Sequence, residues 1–328
     1  MINVTEIPMD DEDIEEVRLW GLGYRQNAVP EVPWPQFSKE SGVAQSTLHA
    51  FVTGKYQGNR ANVARKLFAF RQAVEATTKR QEQLPENPGF FETQTSRRLH
   101  ALLEIAHMGR ITVAATGPGT GKTMTIEDYR QKAQPTFVAT LRPSTSTLNQ
   151  FIMQVQKALA MDAPRLRAGS AAVSSLEVVE RLASRNALLI IDEANYASIE
   201  AIEEARSWHD ETGVGICFMG NEELLARIET GKHRDQLARL NRRIAMRHIQ
   251  RLPLPEDVHL FCDAWGVVQN DIRAFLEKIA LTPDAGGLGE CQQLIEAASM
   301  LADSEDRGLA LSDMRDAQAS RSTRWIKT

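Results

Sequence analysis

Cysteine is scarce in this sequence of 328 residues, and long hydrophobic runs are missing. The three cysteines, Cys217, Cys262 and Cys291, lie far apart and show no paired spacing. This pattern argues against a disulfide framework or a zinc site and favours a reducing cytoplasm. The longest apolar runs, such as 187–191, are far shorter than the roughly 20 residues that a membrane helix needs. We therefore expect a cytoplasmic protein with no membrane partner.

Positive charge is not in excess either, because the formal net charge is -5. Residues 1–16 carry seven acidic side chains and no lysine or arginine, so they do not have the pattern of an export signal. Basic residues are nevertheless concentrated in two stretches, with seven at 55–80 and eight at 225–251. Phosphate binding depends on the local field rather than on net charge. The two stretches leave DNA open as a partner, with solvated helix faces as the alternative.

Apolar runs alternate with helical segments between residues 93 and 251, which predicts an α/β core with a parallel sheet. Continuous hydrophobicity is typical of parallel strands that are covered on both faces. Four runs read as such strands, namely 111–115, 136–140, 187–191 and 215–219. Prolines and a glycine at 84–92 predict a linker after an all-α domain at 1–83. Residues 252–328 begin with a proline-rich break, show no strand signal and predict a small helical domain.

A glycine-rich loop, Thr116-Gly-Pro-Gly-Thr-Gly-Lys-Thr123, follows the first strand and precedes a helix. This is the context of a P-loop, whose glycines let backbone N–H groups point at phosphates at a helix N-terminus. Lys122 can reach the β and γ phosphates, and the Thr123 hydroxyl can ligate Mg²⁺. The predicted nucleotide-binding residues of the loop are Gly117, Pro118, Gly119, Thr120, Gly121, Lys122 and Thr123. Thr116 departs from the GxxxxGKS/T pattern, which begins with glycine, and predicts a slightly reshaped start of the loop.

Two carboxylates, Asp192 and Glu193, end the apolar run that starts at Leu188. Ligands of open parallel sheets bind at the carboxyl ends of the strands, so this pair is expected beside the P-loop. Asp192 would bind nucleotide through the magnesium shell, and Glu193 would polarise the attacking water. Together with the P-loop, the pair predicts an ATPase that uses ATP and Mg²⁺.

Two further polar groups are candidates for catalysis. Asn221 ends the last of the four strands and could position the attacking water, or it could simply cap a helix that starts at Glu222. Arg239, Arg242 and Arg243 form a basic group near the end of the core. An arginine supplied across a subunit boundary can stabilise charge on a transferring phosphoryl group. The alternative is an exposed basic helix face.

Residues 37–56 have the pattern of a helix-turn-helix, with Gly42 at the turn and Gly54 after the second helix. The predicted buried face consists of Val43, Leu48, Phe51 and Val52. Side chains suited to a DNA groove are Gln45, Ser46, Thr47 and His49, and Lys55 follows as a further candidate contact. Ala44 stands where a capping serine or threonine is common, so Ser46 is expected to cap the helix one turn later. The alternative is a small helical domain that adds non-specific affinity or contacts a partner.

The core motifs resemble those of AAA+ ATPases, and smaller details resemble the family of the phage Mu transposition protein B. The AAA+ likeness rests on the P-loop, the strand Leu188–Asp192 with Glu193, Phe218-Met-Gly-Asn221 and Leu240-Asn-Arg-Arg-Ile244. The closer likeness rests on Phe90-Phe-Glu-Thr-Gln-Thr95, Asp162-Ala-Pro-Arg165 and Leu237-Ala-Arg-Leu240. The order of helix-turn-helix domain, AAA+ core (93–251) and helical lid (252–328) also matches this family, over nearly the whole chain.

This resemblance implies an ATP-dependent, largely sequence-indifferent protein that binds double-stranded DNA in a bacterial host cytoplasm. It implies a helical filament of identical subunits on target DNA, DNA-stimulated ATP hydrolysis, capture of that DNA for a cognate transposase and stimulation of transposition. Arg243 matches the family's finger arginine because it directly precedes Ile244, and Arg181 matches a basic helix that contacts DNA. Gly289 stands where AAA+ lids usually have a second sensor arginine, which implies weaker lid closure and slow intrinsic hydrolysis.

Two other functions share some of these features. A helicase-loader-like regulator of replication can share every core motif, whereas the segments that flank the core favour the transposition family. A helix-turn-helix repressor could bind nucleotide as a purely structural ligand. Glu193 argues against that last interpretation, because a structural site needs no group that activates water.

Overall fold

The computed structural model describes residues 8–82, 85–161, 171–183, 186–230, 234–305 and 307–321. The segment 162–165, on which part of the resemblance rests, lies outside the described residues. The chain divides into two compact units, residues 1–84 and 85–328. Within the described ranges, every helix is too short or too polar to cross a bilayer.

The first unit contains four helices in its described part, and their bounds are α1 (Asp11–Gln26), α2 (Trp34–Ser41), α3 (Gln45–Val52) and α4 (Arg60–Glu82). Helices α2 and α3 form the predicted helix-turn-helix, with Gly42 in the left-handed conformation at φ +65°. The four predicted apolar residues of this motif are buried, and Phe37 is buried with them. Ser46 lies inside the first turn of α3 and Ala44 is its N-cap, so the predicted serine cap is wrong.

The second unit is built on a parallel sheet with the strand order β2-β3-β4-β1-β5. Its strands are β1 (Ile111–Thr116), β2 (Thr136–Thr140), β3 (Leu188–Asp192), β4 (Gly215–Gly220) and β5 (Ile244–Gln250). The first four confirm the predicted strands to within one residue at each end. Strand β5 was not predicted from the sequence, because this edge strand is only partly covered and its half-buried Arg247 and His248 interrupt the apolar run.

Helices cover both faces of this sheet, and their bounds are α5 (Gln94–His107), α6 (Lys122–Lys132), α7 (Leu148–Ala158), α8 (Ala171–Leu182), α9 (Ile199–Thr212), α10 (Glu222–Glu229) and α11 (Ala238–Arg243). Alternate strand residues enter different cores. Leu189 and Ile191 pack in the core formed with α7, α8 and α9, whereas Leu188 and Ile190 pack against α5 and α6. This two-sided burial is the physical reason why the strands read as continuous apolar runs.

Helices α12 (Pro255–Ala264), α13 (Asn270–Ala280), α14 (Leu288–Ser304) and α15 (Leu311–Arg321) follow the sheet and share a separate apolar cluster. We call these four helices the lid. The described residues of the lid contain no strand, as predicted from the sequence. The start of α14 contacts the core directly, because Leu288 N donates to the carbonyl oxygen of Gly119 at 2.8 Å.

Candidate nucleotide site

The glycine-rich loop lies between the end of β1 and the start of α6, at the carboxyl edge of the sheet. Gly119 and Gly121 have φ values of +68° and +91°, a region that favours glycine. Gly117 is required for a different reason, since a Cβ atom there would lie 1.9 Å from the carbonyl oxygen of Arg251. The loop can therefore expose its backbone N–H groups only with glycine at these positions.

Thr116 fits the loop although the usual pattern has glycine there. It is the last residue of β1, so it keeps the extended backbone that threonine readily adopts. Its buried hydroxyl lies 3.2 Å from the hydroxyl of Thr120, which also donates to the carbonyl oxygen of Gly117 at 2.9 Å. The substitution thus adds a polar contact within the loop.

Lys122 begins α6, and its ammonium group lies over the loop. Its Nζ donates to the carbonyl oxygens of Thr116 at 2.6 Å and Gly117 at 3.3 Å. Burial lowers the pKa of Lys122, and the nearby carboxylates of Glu193 and Asp192 partly oppose this shift. A partly desolvated cation that contacts neutral carbonyls suits the binding of an anion.

Asp192 and Glu193 lie at the end of β3, where Asp192 accepts a hydrogen bond from the Glu193 N–H at 3.0 Å. Burial raises the pKa of Asp192, the charge of Glu193 raises it further, and Lys122 opposes both. Glu193 has a φ of +54°, a strained backbone for a residue with a side chain. Strain of this kind is common at functional sites, and a bound cation would relieve the repulsion between the two carboxylates.

A cavity of about 510 Å³ brings the loop, Glu193 and the lid together. Of the predicted nucleotide-binding residues, Pro118 to Thr123 line it, whereas Gly117 lies at a second cavity of about 500 Å³ with Asn221 and Arg251. Gly289 also lines the first cavity, and a Cβ atom built on it would meet open space. The lid position that lacks an arginine therefore faces the candidate nucleotide site.

Aromatic side chains that the sequence analysis did not assign to the site form another wall of this cavity. They are Phe90, Phe91, Phe261 and Trp265. Phe90 stacks on His100 with the two rings inclined by only 6°, and the Phe261 and Trp265 rings lie 5.7 Å apart. Such a wall suits a flat, apolar group such as a nucleobase. The only signal in the sequence was the segment 90–95, which was recognised by resemblance alone.

A buried polar cluster joins the lid to the core next to this wall. Asp257 of α12 accepts hydrogen bonds from the Gln94 N–H at 2.8 Å and from the Thr95 hydroxyl, at the N-terminus of α5. Gln250, the last residue of β5, donates to the Thr95 hydroxyl at 2.7 Å. Asp257 is 1% exposed, so its charge is held by these donors and by the positive end of the helix.

Asn221 is the N-cap of α10, since its side chain accepts a hydrogen bond from the Glu223 N–H at 3.0 Å. The capping interpretation is therefore confirmed. It uses the side-chain oxygen and leaves the amide nitrogen for another acceptor, so a role in positioning water stays a prediction.

Within one subunit, Arg243 lies at the opposite end of β1 from the P-loop that contains Lys122. It ends α11 and directly precedes Ile244, which pairs with Ile111 at the start of β1. The P-loop follows the other end of β1, where Thr116 pairs with Gln250. All three arginines of this group are exposed, and Arg243 forms a salt bridge with Asp210 at 2.5 Å. Arg243 therefore lies at the sheet edge opposite the nucleotide site.

The candidate DNA contacts occupy different kinds of position. Gln45, Ser46 and Lys55 are exposed in the helix-turn-helix unit, and Thr47 is partly exposed. Arg181 of α8 is partly buried, and its Nε has no hydrogen-bond partner among the described residues.

The basic stretch at 55–80 is partly neutralised within its own unit. Arg71 pairs with Glu16 at 2.6 Å and with Glu75 at 2.7 Å, and Arg60 lies 3.6 Å from Glu15. The acidic α1 therefore lowers the local positive field that this stretch would offer to DNA.

Comparison with known proteins agrees with this arrangement. A family described as "AAA domain" matches residues 106–228, and a family described as "Mu B transposition protein, C terminal" matches residues 242–320. The Mu-like prophage FluMu DNA transposition protein B of Haemophilus influenzae is 31% identical over 79% of this chain and 88% of its own. The ATP-dependent target DNA activator B of Escherichia phage Mu is 31% identical over 78% of this chain and 80% of its own.

Solved structures show the same fold at low sequence identity. The Aeropyrum pernix ORC1 protein, solved in complex with DNA, aligns with a TM-score of 0.54 and 15% identity over 74% of this chain and 69% of its own. The Aeropyrum pernix ORC2 protein aligns with a TM-score of 0.51 and 14% identity over 71% of this chain and 68% of its own. The expected AAA+ fold, with a helical lid after the parallel sheet, is thereby confirmed.

Proposed function

The chain belongs to the family of the phage Mu transposition protein B, and we propose that it is an ATPase that binds target DNA in the presence of ATP and stimulates transposition. In this proposal it assembles as a filament on double-stranded DNA and captures that DNA for a cognate transposase. The observation that carries the proposal is that Lys122 and Glu193 line one cavity with residues of the lid, while the carboxylate of Asp192 acts electrostatically on Lys122 from the end of β3. A repressor with a purely structural nucleotide would not need this pair of carboxylates.

The loop residues supply the phosphate site. Backbone N–H groups of residues 117–123 and the N-terminus of α6 would hold the β and γ phosphates. Lys122 would move from the carbonyl oxygens of Thr116 and Gly117 to these phosphates, because a charged acceptor binds an ammonium more strongly than a neutral one. The aromatic wall would hold the base.

Oxygen ligands of the kind that Mg²⁺ prefers stand at the start of α6 and at the end of β3. The Thr123 hydroxyl would bind it directly and Asp192 would bind its shell of water, and the ion would offset charge on the transferring phosphoryl group. Glu193 would accept the proton of the attacking water, and the Asn221 amide would orient that water. These side chains follow β1, β3 and β4, three adjacent strands of the sheet.

Arg243 would act on the nucleotide of a neighbouring subunit. Residues 244 to 250 of β5 separate it from the P-loop, a distance of about 20 Å at the rise of a β-strand. This separation exceeds the reach of an arginine side chain within one subunit. A head-to-tail filament would bring the sheet edge that carries Arg243 in one subunit to the nucleotide cavity of the next subunit. Hydrolysis would then depend on assembly, and DNA would stimulate it by promoting assembly.

Mixing two inactive variants tests this arrangement. Glu193→Gln should bind ATP and assemble but hydrolyse it very slowly, and Arg243→Ala should keep an intact P-loop and lack the finger. In an equal mixture, about a quarter of the head-to-tail interfaces would combine an intact site with a donated arginine. We expect DNA-stimulated ATPase activity to return to about a quarter of the wild-type value. If cross-linking confirms mixed assembly and ATPase activity does not recover, Arg243 does not act on the nucleotide of a neighbouring subunit.

A strand-transfer assay separates the proposed function from a helicase-loader-like regulator. The assay contains the cognate transposase, target DNA and ATP, and Glu193→Gln serves as the control for ATP turnover. We expect the wild-type protein to increase strand transfer into the DNA that it has bound. An active, DNA-stimulated ATPase that leaves strand transfer unchanged would instead favour a role in replication.

A further inference from the structure

The guanidinium group of Arg243 is held by a chain of ion pairs that starts on α9. Its Nε donates to Asp210 Oδ1 at 2.5 Å. Arg206, one helical turn earlier on α9, donates to the other oxygen of Asp210 through Nη1. Arg206 Nε in turn donates to Glu203 at 2.9 Å. The four charges alternate in sign, so each one lies beside an opposite charge.

This contact orients Arg243 and leaves its terminal nitrogens largely free for a ligand. A guanidinium presents two hydrogen-bonding edges, one that includes Nε and one formed by the two Nη atoms. Asp210 takes the Nε, and Nη1 makes one long contact of 3.3 Å with the carbonyl oxygen of Arg239. The side chain of Arg243 is 39% exposed. The two Nη atoms can therefore donate to phosphoryl oxygens while Nε remains hydrogen-bonded to Asp210.

The ion pairs that hold Arg243 start from a helix that is packed against the core. The side chain of Arg206 is only 12% exposed. The same helix is anchored in the core by the buried side chains of Ile202, Ala205 and Trp208. An arginine side chain has many rotamers, and ordering it on binding costs conformational entropy. A carboxylate already fixed to the core reduces the part of this cost that remains when the next subunit binds.

We propose that Asp210 is a positioning residue for the finger, which holds Arg243 in the orientation that reaches the nucleotide of the neighbouring subunit. This inference rests on the proposed function of Arg243. Asp210 itself would touch neither the nucleotide nor the water. It acts in the subunit that donates the finger and leaves the nucleotide cavity of that subunit unchanged.

The test compares Asp210→Ala with Glu211→Ala, which removes an exposed carboxylate from the next position of α9. DNA-stimulated ATP hydrolysis is measured over a range of ATP concentrations. We expect Asp210→Ala to lower kcat by about tenfold or more, because small misplacements of a catalytic group are costly. KM for ATP should stay within about twofold of wild type, since the cavity is intact. Glu211→Ala should match wild type in both constants.

The conservative variant Asp210→Glu should recover part of the lost kcat, because it restores a carboxylate near Arg243. Mixing then shows where Asp210 acts. Glu193→Gln subunits carry an intact Asp210 and Arg243, so they should restore hydrolysis when mixed with Asp210→Ala. Recovery would not occur if the substitution had damaged the variant's own nucleotide site.

Three outcomes would contradict the inference, and they can be told apart. Wild-type kcat in Asp210→Ala, with Arg243→Ala inactive, would overturn the positioning role and leave the finger in place. Wild-type kcat in both variants would overturn the finger role of Arg243 and the inference together. A drop in kcat for Asp210→Ala without recovery in the mixture would also overturn the inference.

Discussion

Removal of the buried carboxylate of Asp257 tests how the lid is joined to the core. Asp257→Ala deletes the acceptor for the Gln94 N–H and the Thr95 hydroxyl, and also for two longer contacts of 3.4 Å from the backbone N–H groups of Thr95 and Leu254. The donors that remain are largely buried at the N-terminus of α5. Such unpaired donors are destabilising.

The two shorter hydrogen bonds set the magnitude. A hydrogen bond to a charged group contributes about 1.5–3 kcal/mol, so the loss of both should lower the free energy of unfolding by about 3–6 kcal/mol. If water enters the space left by the carboxylate, it can bind the freed donors, and the loss of unfolding free energy should then lie near the lower end of this range. For a unit of the size of residues 85–328, about 3 kcal/mol corresponds to a decrease in Tm of roughly 6–12 °C.

Calorimetry of the full chain without nucleotide measures this effect. Asp263→Ala is the matched control, because Asp263 lies on the same helix but is 61% exposed in its ion pair with Arg273. The control should lose no more than about 1 kcal/mol. Thr95→Val, which removes one donor and keeps the side-chain shape, should fall between the two. A decrease of less than about 1 kcal/mol in Asp257→Ala would refute the reasoning that this cluster fastens the lid.

Three further predictions concern nucleotide and DNA. Lys122→Ala should lower ATP affinity at least about tenfold in a fluorescence titration, because the phosphates lose their buried counter-charge; unchanged affinity would move the site elsewhere. Gly289→Arg should bind ATP more tightly than wild type, with Gly289→Gln as the uncharged control, since the position faces the cavity and has open space; equal affinities would contradict this. DNA binding with ATP should weaken with salt at a log–log slope of about -0.9 per phosphate contact. A preference of more than roughly a thousandfold for one DNA sequence would contradict non-specific capture.

Local patterns were enough to predict that Lys122 and Glu193 would lie together at the candidate nucleotide site. The P-loop is contiguous, and its glycines are required by backbone geometry that neighbouring residues impose. Asp192 and Glu193 end an apolar run, and the carboxyl end of a parallel strand is where such sheets bind ligands. The buried strands were predicted for the same reason, because burial on both faces leaves a continuous apolar run.

The sequence pattern failed where an element is only half covered. Strand β5 contains Arg247 and His248 between apolar residues, and its exposed positions are those of a sheet edge. Its existence depends on pairing with β1, which is more than a hundred residues away in the chain. Ser46 shows the same limit on a smaller scale, because the backbone rather than the capping preference decided where α3 begins.

Contacts between distant residues were decided by the tertiary structure alone. Asp257 meets Thr95 across 162 residues, and Asp210 meets Arg243 across 33. In the sequence these carboxylates look like any other acidic residues on helices. The identity of a phosphate-binding loop is set by short-range sterics and is therefore visible in consecutive residues. The partner of a buried charge is set by how helices and strands pack, and packing joins residues whose order along the chain carries no record of the contact.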